Sequence, residues 1–151
     1  MKWTFVMAAV LTTLLACGNE EPDPMGEMLD SIVVSAEARD ADAIRTHLSE
    51  SYNDSTREGR EGAARALRRL FDGYRTIDVD VSGIEIETRS TFIGAQFRVD
   101  FSGGSARSGG ISDLLPSRSS YQFWIEIEKE KDVWKVVWAE WEEIESPGLV
   151  E

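Results

Sequence analysis

The stretch of sequence that decides the fold is IDVDVSGIEIE, at residues 77–87. Apolar residues alternate there with polar ones, at odd positions as far as Val81 and at even positions from Ile84 onward. A period of two predicts a β-strand with one buried face. The one-residue change of phase at Ser82-Gly83 indicates a β-bulge, because a bulge sets two residues against one on the partner strand. We therefore predict one long, bent strand from about residue 77 to residue 88.

Three further strands are predicted downstream. Residues 93–101 and 121–128 show the same alternation and are predicted to be half-buried antiparallel strands. Residues 102–120, between them, are rich in Gly and Ser and are predicted to form a long loop. The last strand, at residues 133–142, is apolar on both faces, which predicts a central position or a covered outer face. Strict alternation places Trp134, Val136 and Trp138 on one face and Val133, Val137, Ala139 and Trp141 on the other.

Upstream of the strands, the apolar residues recur every three or four positions, which is the period of an amphipathic helix. One such stripe covers residues 25–36. A second, short helix is predicted to follow, with Asp40 or Asp42 capping its first turn. The chain is predicted to break at residues 51–55 and then to form a third helix that ends near Gly73. The predicted order is therefore three helices followed by strands.

Two local segments resemble a known fold family. The first combines ARDADAI at residues 38–44 with LSESYND at residues 48–54, and the second is VWKVV at residues 133–137. With the order of helices and strands, they resemble the NTF2-like (SnoaL-like) α+β cone, over about residues 25–143. The resemblance implies an α+β fold in which three N-terminal helices pack on a curved antiparallel sheet of about four strands.

The resemblance implies roles in the fold and not a particular chemistry. In this family Asp40 would cap a helix, Tyr52 would plug the narrow end of the cone and Trp134 would fill the sheet. The same cone houses isomerases, dehydratases, cyclases, ligand carriers and scaffolds, so the fold alone does not choose the function. No catalytic motif of the family transfers to this sequence residue by residue.

Length and composition limit the classes of function. The 151 residues are enough for one domain and a leader. The chain carries 28 Asp and Glu against 16 Lys and Arg, so we predict no nucleic-acid partner, because phosphate neutralisation needs a basic surface. It has one cysteine, which excludes an internal disulfide and a thiolate zinc site. We predict no metal and no cofactor.

The single cysteine is explained by the start of the chain. Met1-Lys2 precedes an apolar run, residues 3–15, that is too short to cross a bilayer. The run ends in Leu14-Leu15-Ala16-Cys17-Gly18, which resembles the bacterial lipobox. We therefore predict a signal peptide over residues 1–16 and lipid on the thiol of Cys17. An ordinary secretory signal with a chance cysteine, or a buried N-terminal helix, is the alternative.

The lipobox also predicts the division of the chain and its location. Residues 17–24 are predicted to be the lipidated cysteine and a polar linker, residues 25–145 the NTF2-like domain, and residues 146–151 a tail. The expected location is the bacterial cell envelope, with the protein anchored by lipid. Gly18 is not the aspartate that resembles an inner-membrane retention signal, so the outer membrane is preferred to the inner one.

Three residues are candidates for catalysis. His47 is the only histidine and has an unperturbed pKa near neutrality, which suits a general base. Tyr52 and Asp54 are polar groups that could line the interior of a cone. Each also has a structural explanation: His47 as a partly exposed helix residue, Tyr52 as a packing residue and Asp54 as a turn residue.

Another candidate site is an interface. Strict alternation places Trp124, Val137 and Trp141 on the sheet face opposite the cone, where they form an apolar patch. Such a patch predicts a homodimer or a partner protein of the envelope. A few singly exposed tryptophans are the alternative.

Taken together, the sequence predicts a membrane-tethered lipoprotein whose NTF2-like domain is a non-catalytic module that binds a ligand or a protein. Its expected partners are the lipid bilayer, through acylated Cys17, a second copy or an envelope protein, and a small apolar ligand. The alternative is a small-molecule enzyme, similar to an isomerase, dehydratase or hydrolase, that uses the cone pocket.

Overall fold

A computed structural model describes residues 23–105 and 117–144 of the chain. Cys17, the predicted signal peptide, most of the predicted linker and the predicted tail lie outside the described residues. The elements follow in the order α1 (Pro24–Glu37), α2 (Ala41–His47), β1 (Leu48–Asp54), α3 (Gly59–Asp72), β2 (Tyr74–Thr88), β3 (Ile93–Ser105), β4 (Arg118–Glu130) and β5 (Val133–Ile144).

The first two helices begin at aspartate caps. The side chain of Asp23 accepts a hydrogen bond from the backbone N–H of Gly26 at 2.9 Å. Asp40 does the same for Ala43 at 2.8 Å, so Asp40 and not Asp42 is the cap of α2. Each carboxylate satisfies a backbone donor that a helix N-terminus leaves free.

The five strands form one mixed sheet in the order β1-β5-β4-β3-β2. The β2–β3, β3–β4 and β4–β5 pairs are antiparallel, as predicted. The prediction of about four antiparallel strands missed β1, which pairs in parallel with the edge of β5. Residues 51–55 looked like a break because LSESYND is mostly polar, yet β1 lies at the sheet edge and Tyr52 and Asp54 point into the fold.

The change of phase in β2 is a β-bulge, as predicted. The pairing of β2 with β3 shifts between Ser82 and Glu85, and Gly83 has a φ of 62°. The left-handed backbone region is accessible to glycine at little cost because glycine has no Cβ. The apolar face of β2 is therefore restored beyond the bulge, although Ile84 and Ile86 remain 45% and 46% exposed.

The predicted loop is shorter at both ends than its composition indicated. β3 continues to Ser105 and β4 begins at Arg118, with Phe101 opposite Ser119 and Ser102 opposite Arg118. The loop prediction is wrong for these end residues, because ladder hydrogen bonds between two long strands outweigh a weak preference of Gly and Ser for loops. Residues 106–116 lie outside the described residues.

A second irregularity, in β5, corrects the predicted faces of the last strand. Glu126 lies opposite Trp138 but Ile127 lies opposite Val136, so Val137 is an extra residue. The bulge reverses the alternation. As a result Trp134 and Val136 share the inner face with Ala139 and Trp141, and the strict alternation expected from the sequence is wrong.

The inner face of the sheet packs against the helices and forms the core. One cluster of buried residues joins α1 and β1 to the middle of the sheet, and a second joins α2 and α3 to the start of β2. The first contains Met25, Met28, Leu29, Leu48, Tyr52, Ile93, Ala95, Phe97, Ile125, Ile127, Val136 and Ala139. The second contains Ala41, Ile44, Phe71, Tyr74 and Ile77.

Gly83→Ala is expected to lower the free energy of unfolding by about 1 kcal/mol, because an L-residue at a positive φ is strained. The open space around Gly83 leaves the backbone conformation as the cause. The matched control is Gly94→Ala on β3, where a Cβ meets its neighbours at ordinary distances of 3.7 Å and more. Urea unfolding of both variants measures the difference, and equal stabilities would contradict the bulge.

Candidate functional site

Tyr52 and Asp54, two of the three catalytic candidates, form a buried pair on β1. Their exposed fractions are 7% and 4%, and the Tyr52 hydroxyl donates a hydrogen bond to Asp54 Oδ2 at 2.9 Å. Burial raises the pKa of Tyr52, and the hydrogen bond to Asp54 raises it further. Tyr52 therefore stays protonated near neutral pH, as a hydrogen-bond donor and not a base.

The second oxygen of Asp54 closes the turn that leads into α3. Asp54 Oδ1 accepts hydrogen bonds from the backbone N–H of Thr56 at 2.8 Å and from the Thr56 hydroxyl at 2.5 Å. The backbone carbonyl of Asp54 accepts from Arg57, which has a φ of 59°. Both carboxylate oxygens are therefore engaged in local structure.

His47 does not join this pair. Its Nε2 lies 2.9 Å from the Ser31 hydroxyl, so the ring links the end of α2 to α1. Burial lowers the pKa of His47, and the nearby charge of Lys135 lowers it further, so the ring is neutral at pH 7. Among the described residues no carboxylate is hydrogen-bonded to His47, and the Ser31–His47 pair thus lacks the acid that orients a catalytic histidine.

Three aromatic rings stack on one another on the inner face of the sheet. Phe123 stacks on Phe97 at a centroid distance of 5.7 Å and on Trp141 at 5.8 Å. Trp141 therefore lies on the inner face, and the prediction that it shares an outer patch with Trp124 is wrong. The register shift at Val137 is the physical reason, because it reverses the faces of β5.

The outer face of the sheet holds an open groove, which we call the outer-face groove. It has a volume of about 710 Å³. Its two aromatic walls are Trp124 on β4 and Trp138 on β5, both half-buried. The remaining lining comes from Glu85, Ile86, Glu87, Arg89, Phe92, Gly94, Ala95, Gln96, Ile125, Glu126, Glu140 and Glu142.

The outer-face groove is strongly acidic. Five of its lining residues are glutamates, and its one basic residue, Arg89, is already paired with Glu87. Within residues 23–105 and 117–144, no ion pair involves Glu85, Glu126, Glu140 or Glu142. The groove therefore combines two indole surfaces with at least four unpaired carboxylates.

A smaller groove of about 390 Å³ lies between the end of α1 and the far end of β2, β3 and β4. Asp78, Asp80 and Asp100 contribute to it, and Arg98 donates two hydrogen bonds to Asp100, at 2.8 and 2.7 Å. These bonds hold the pKa of Asp100 below its usual value. In the part of the chain that the structure describes, no group of three or more potential metal ligands converges.

Comparison with solved structures shows the fold. A candidate scytalone dehydratase from Novosphingobium aromaticivorans superposes with a TM-score of 0.68 at 14% identity, covering 85% of this chain and 87% of that one. A candidate dehydratase of the NTF2-like family from Streptomyces avermitilis gives 0.64 at 8% identity, with coverages of 80% and 94%. The chain has the NTF2-like cone fold.

A third structure with this fold is Bd1075 from Bdellovibrio bacteriovorus, with a TM-score of 0.65 at 15% identity. The match covers 80% of this chain but only 39% of Bd1075. No family model matches the sequence, and no curated protein matches it. At these identities the shared property is the NTF2-like fold alone. No helix within the described ranges is long and apolar enough to cross a membrane.

Sequence reasoning missed three features of the site. Trp138 was assigned to the face opposite Trp124, and only the register of β4 with β5 shows that both lie on the outer face. Gly94 opens the floor between Glu87 and Glu126, its cross-strand neighbours. The contact between Ser31 and His47 could not be predicted, because the two residues lie 16 positions apart on different helices.

Tyr52→Phe is expected to lower the free energy of unfolding by about 1–3 kcal/mol, because buried Asp54 loses a hydrogen-bond donor. Tyr121→Phe removes the same atom from a half-buried tyrosine whose ring packs on Phe123 and serves as the control. Folding raises the pKa of Tyr52, so its contribution is complete below about pH 10 and is lost as the pH rises further. Urea titrations between pH 8 and 11 should show a shallower loss in Tyr52→Phe than in wild type; parallel losses would contradict the buried pair.

Proposed function

We propose that this protein is a lipid-anchored module of the bacterial cell envelope that binds a partner protein through the outer face of its sheet and catalyses no reaction. The observation that carries the proposal is the contrast between the two faces. The three catalytic candidates, Tyr52, Asp54 and His47, are hydrogen-bonded within the fold, and the outer-face groove presents tryptophans beside carboxylates that take part in no ion pair among the described residues.

The inner face offers little to a substrate. Tyr52 donates to Asp54, Asp54 accepts from Thr56, and His47 is bonded to Ser31. The rings of Phe97, Phe123 and Trp141 stack on one another along this face and make it largely apolar. A catalytic site needs groups that are free to exchange protons with a bound molecule.

The anchor follows from the sequence around Cys17. Two or three acyl chains on one cysteine anchor a protein stably, since each buried CH2 contributes about 0.8 kcal/mol. Residues 17–24 are polar and are proposed to be the linker, and α1 begins at Pro24. We propose the outer membrane as the location, because Gly18, the residue that follows the cysteine, is not the aspartate that resembles an inner-membrane retention signal.

The second candidate function is a small-molecule enzyme. It is favoured by the buried Tyr52–Asp54 pair and by the candidate dehydratases among the solved structures of this fold. In that case Tyr52 would donate a proton or a hydrogen bond to a substrate that displaces part of the aromatic stack.

Cys17→Ser is expected to abolish acylation, because serine lacks the thiol that takes the lipid. The variant should leave the detergent phase in a two-phase extraction, and metabolic labelling with a fatty acid should fall to background. The same measurements on Ser31→Ala, a variant that keeps Cys17, control for expression. Unchanged labelling of Cys17→Ser would refute the anchor.

The interaction function is tested by a photo-reactive amino acid placed in the full chain in living cells. At Gln96, which is exposed and lies beside Trp124 in the sheet, it should yield a discrete adduct that Trp138→Ala abolishes. At Glu50, an exposed residue of β1 outside the outer-face groove, it should not.

Adducts equal at both positions, or none at Gln96, would refute partner binding through this face. The enzyme alternative predicts a different pattern. Tyr52→Phe, once shown to be folded, should lose the protein's function in cells, and Trp138→Ala should retain it.

A further inference from the structure

We infer that the outer-face groove takes an arginine-bearing cationic segment of the partner protein. The inference deepens the proposed function and rests on it, since it specifies the chemistry of what this face binds. Three features of the groove carry it: its strand geometry, its indole surfaces and its charge.

The cross-strand registers place the groove residues in two adjacent rows. One row runs Glu85, Gln96, Trp124, Glu140 across β2, β3, β4 and β5. The next row runs Glu87, Gly94, Glu126, Trp138 across the same strands. Three strand spacings of about 4.8 Å give a groove roughly 14 Å wide, enough for a short peptide segment to lie across the strands.

Gly94 shapes the floor of the groove. A Cβ at this position would meet the ring of Phe92 at 3.7 Å, an ordinary van der Waals distance. Glu87 and Glu126 flank Gly94 on the two neighbouring strands, so no side chain of β3 stands between these two glutamates.

The indole rings of Trp124 and Trp138 suit a cation. Each ring alternates with a glutamate, since Trp124 lies opposite Glu140 and Trp138 lies opposite Glu126. The guanidinium group of arginine stacks on the face of tryptophan and at the same time donates hydrogen bonds to carboxylates. The same sheet already shows this preference, because the ammonium of Lys129 lies 5.4 Å from the ring centroid of Trp134.

The charge of the groove argues against a second copy of this chain as the occupant. A symmetric dimer through this face would bring the unpaired glutamates of two grooves together, and like charges oppose such an association. A cationic segment instead neutralises Glu126 and Glu140 while its aliphatic stems cover the tryptophans. The homodimer predicted from the sequence is therefore the alternative that the experiment must exclude.

The test uses the full chain in a non-ionic detergent and two synthetic peptides with blocked ends. One peptide consists of Arg-Gly repeats, and the other, of equal length, consists of Gln-Gly repeats. Isothermal titration calorimetry at low salt should show binding of the arginine peptide at least tenfold tighter than that of the glutamine peptide. Trp138→Ala and the double variant Glu126→Gln/Glu140→Gln should each weaken it by tenfold or more.

The matched control is Asp78→Asn/Asp80→Asn, which removes two charges from the same strand face outside the groove. It should leave the affinity within a factor of two of wild type, and thermal unfolding confirms that each variant is folded. Equal weakening by the control would mean that binding depends on net charge alone, and this result would overturn the inference. Binding that persists in Trp138→Ala would overturn it as well.

Two further outcomes separate the inference from the proposed function. Light scattering that shows a wild-type dimer, dissociated by Trp124→Glu, would make a second copy the occupant and overturn the cationic segment. Adducts at Gln96 in cells, together with no binding of the arginine peptide, would also overturn it and would leave partner binding through this face intact.

Discussion

The register shift between β4 and β5 at Val137 is the constraint on which both faces of this protein depend. Without it, Trp134 and Val136 would face away from Ala139 and Trp141, and no single face of β5 could pack on the helices. With it, all four residues contribute to one core, and Trp138 is left on the outer face beside Trp124. A bulge costs one ladder pair and gains the burial of several large apolar side chains.

The bulge at Gly83 has a complementary effect at the other edge of the sheet. It lets β2 bend while keeping its apolar residues on the inner face, which produces the curvature of a cone. The concave side carries the Phe97–Phe123–Trp141 stack, and α1 packs in the same core cluster. The convex side has no covering helix among the described residues, and its tryptophans and glutamates remain available to a partner.

The NTF2-like fold alone is compatible with catalysis and with binding, so the distribution of polar groups has to discriminate between them. In this chain the three catalytic candidates are bonded to neighbouring polar groups: Tyr52 to Asp54, Asp54 to Thr56, and His47 to Ser31. Such pairs stabilise the packing of β1 and of the helices. The outer-face groove carries a different pattern, with four glutamates that take part in no ion pair among the described residues, and this pattern is typical of a surface that recognises charge.

The sequence by itself determined the order of the elements, the bulge at Gly83 and the cap at the start of α2, because these depend on local periodicity and on the chemistry of single residues. It also contains the lipobox-like segment that ends in Cys17. Only the tertiary structure decided that β1 joins the sheet, since its polar sequence pairs in parallel with β5 from a distant part of the chain. It likewise decided that Trp138, and not Trp141, accompanies Trp124, because a one-residue shift in strand pairing reverses every face beyond it, and a strand that is apolar on both faces does not tell where the shift lies.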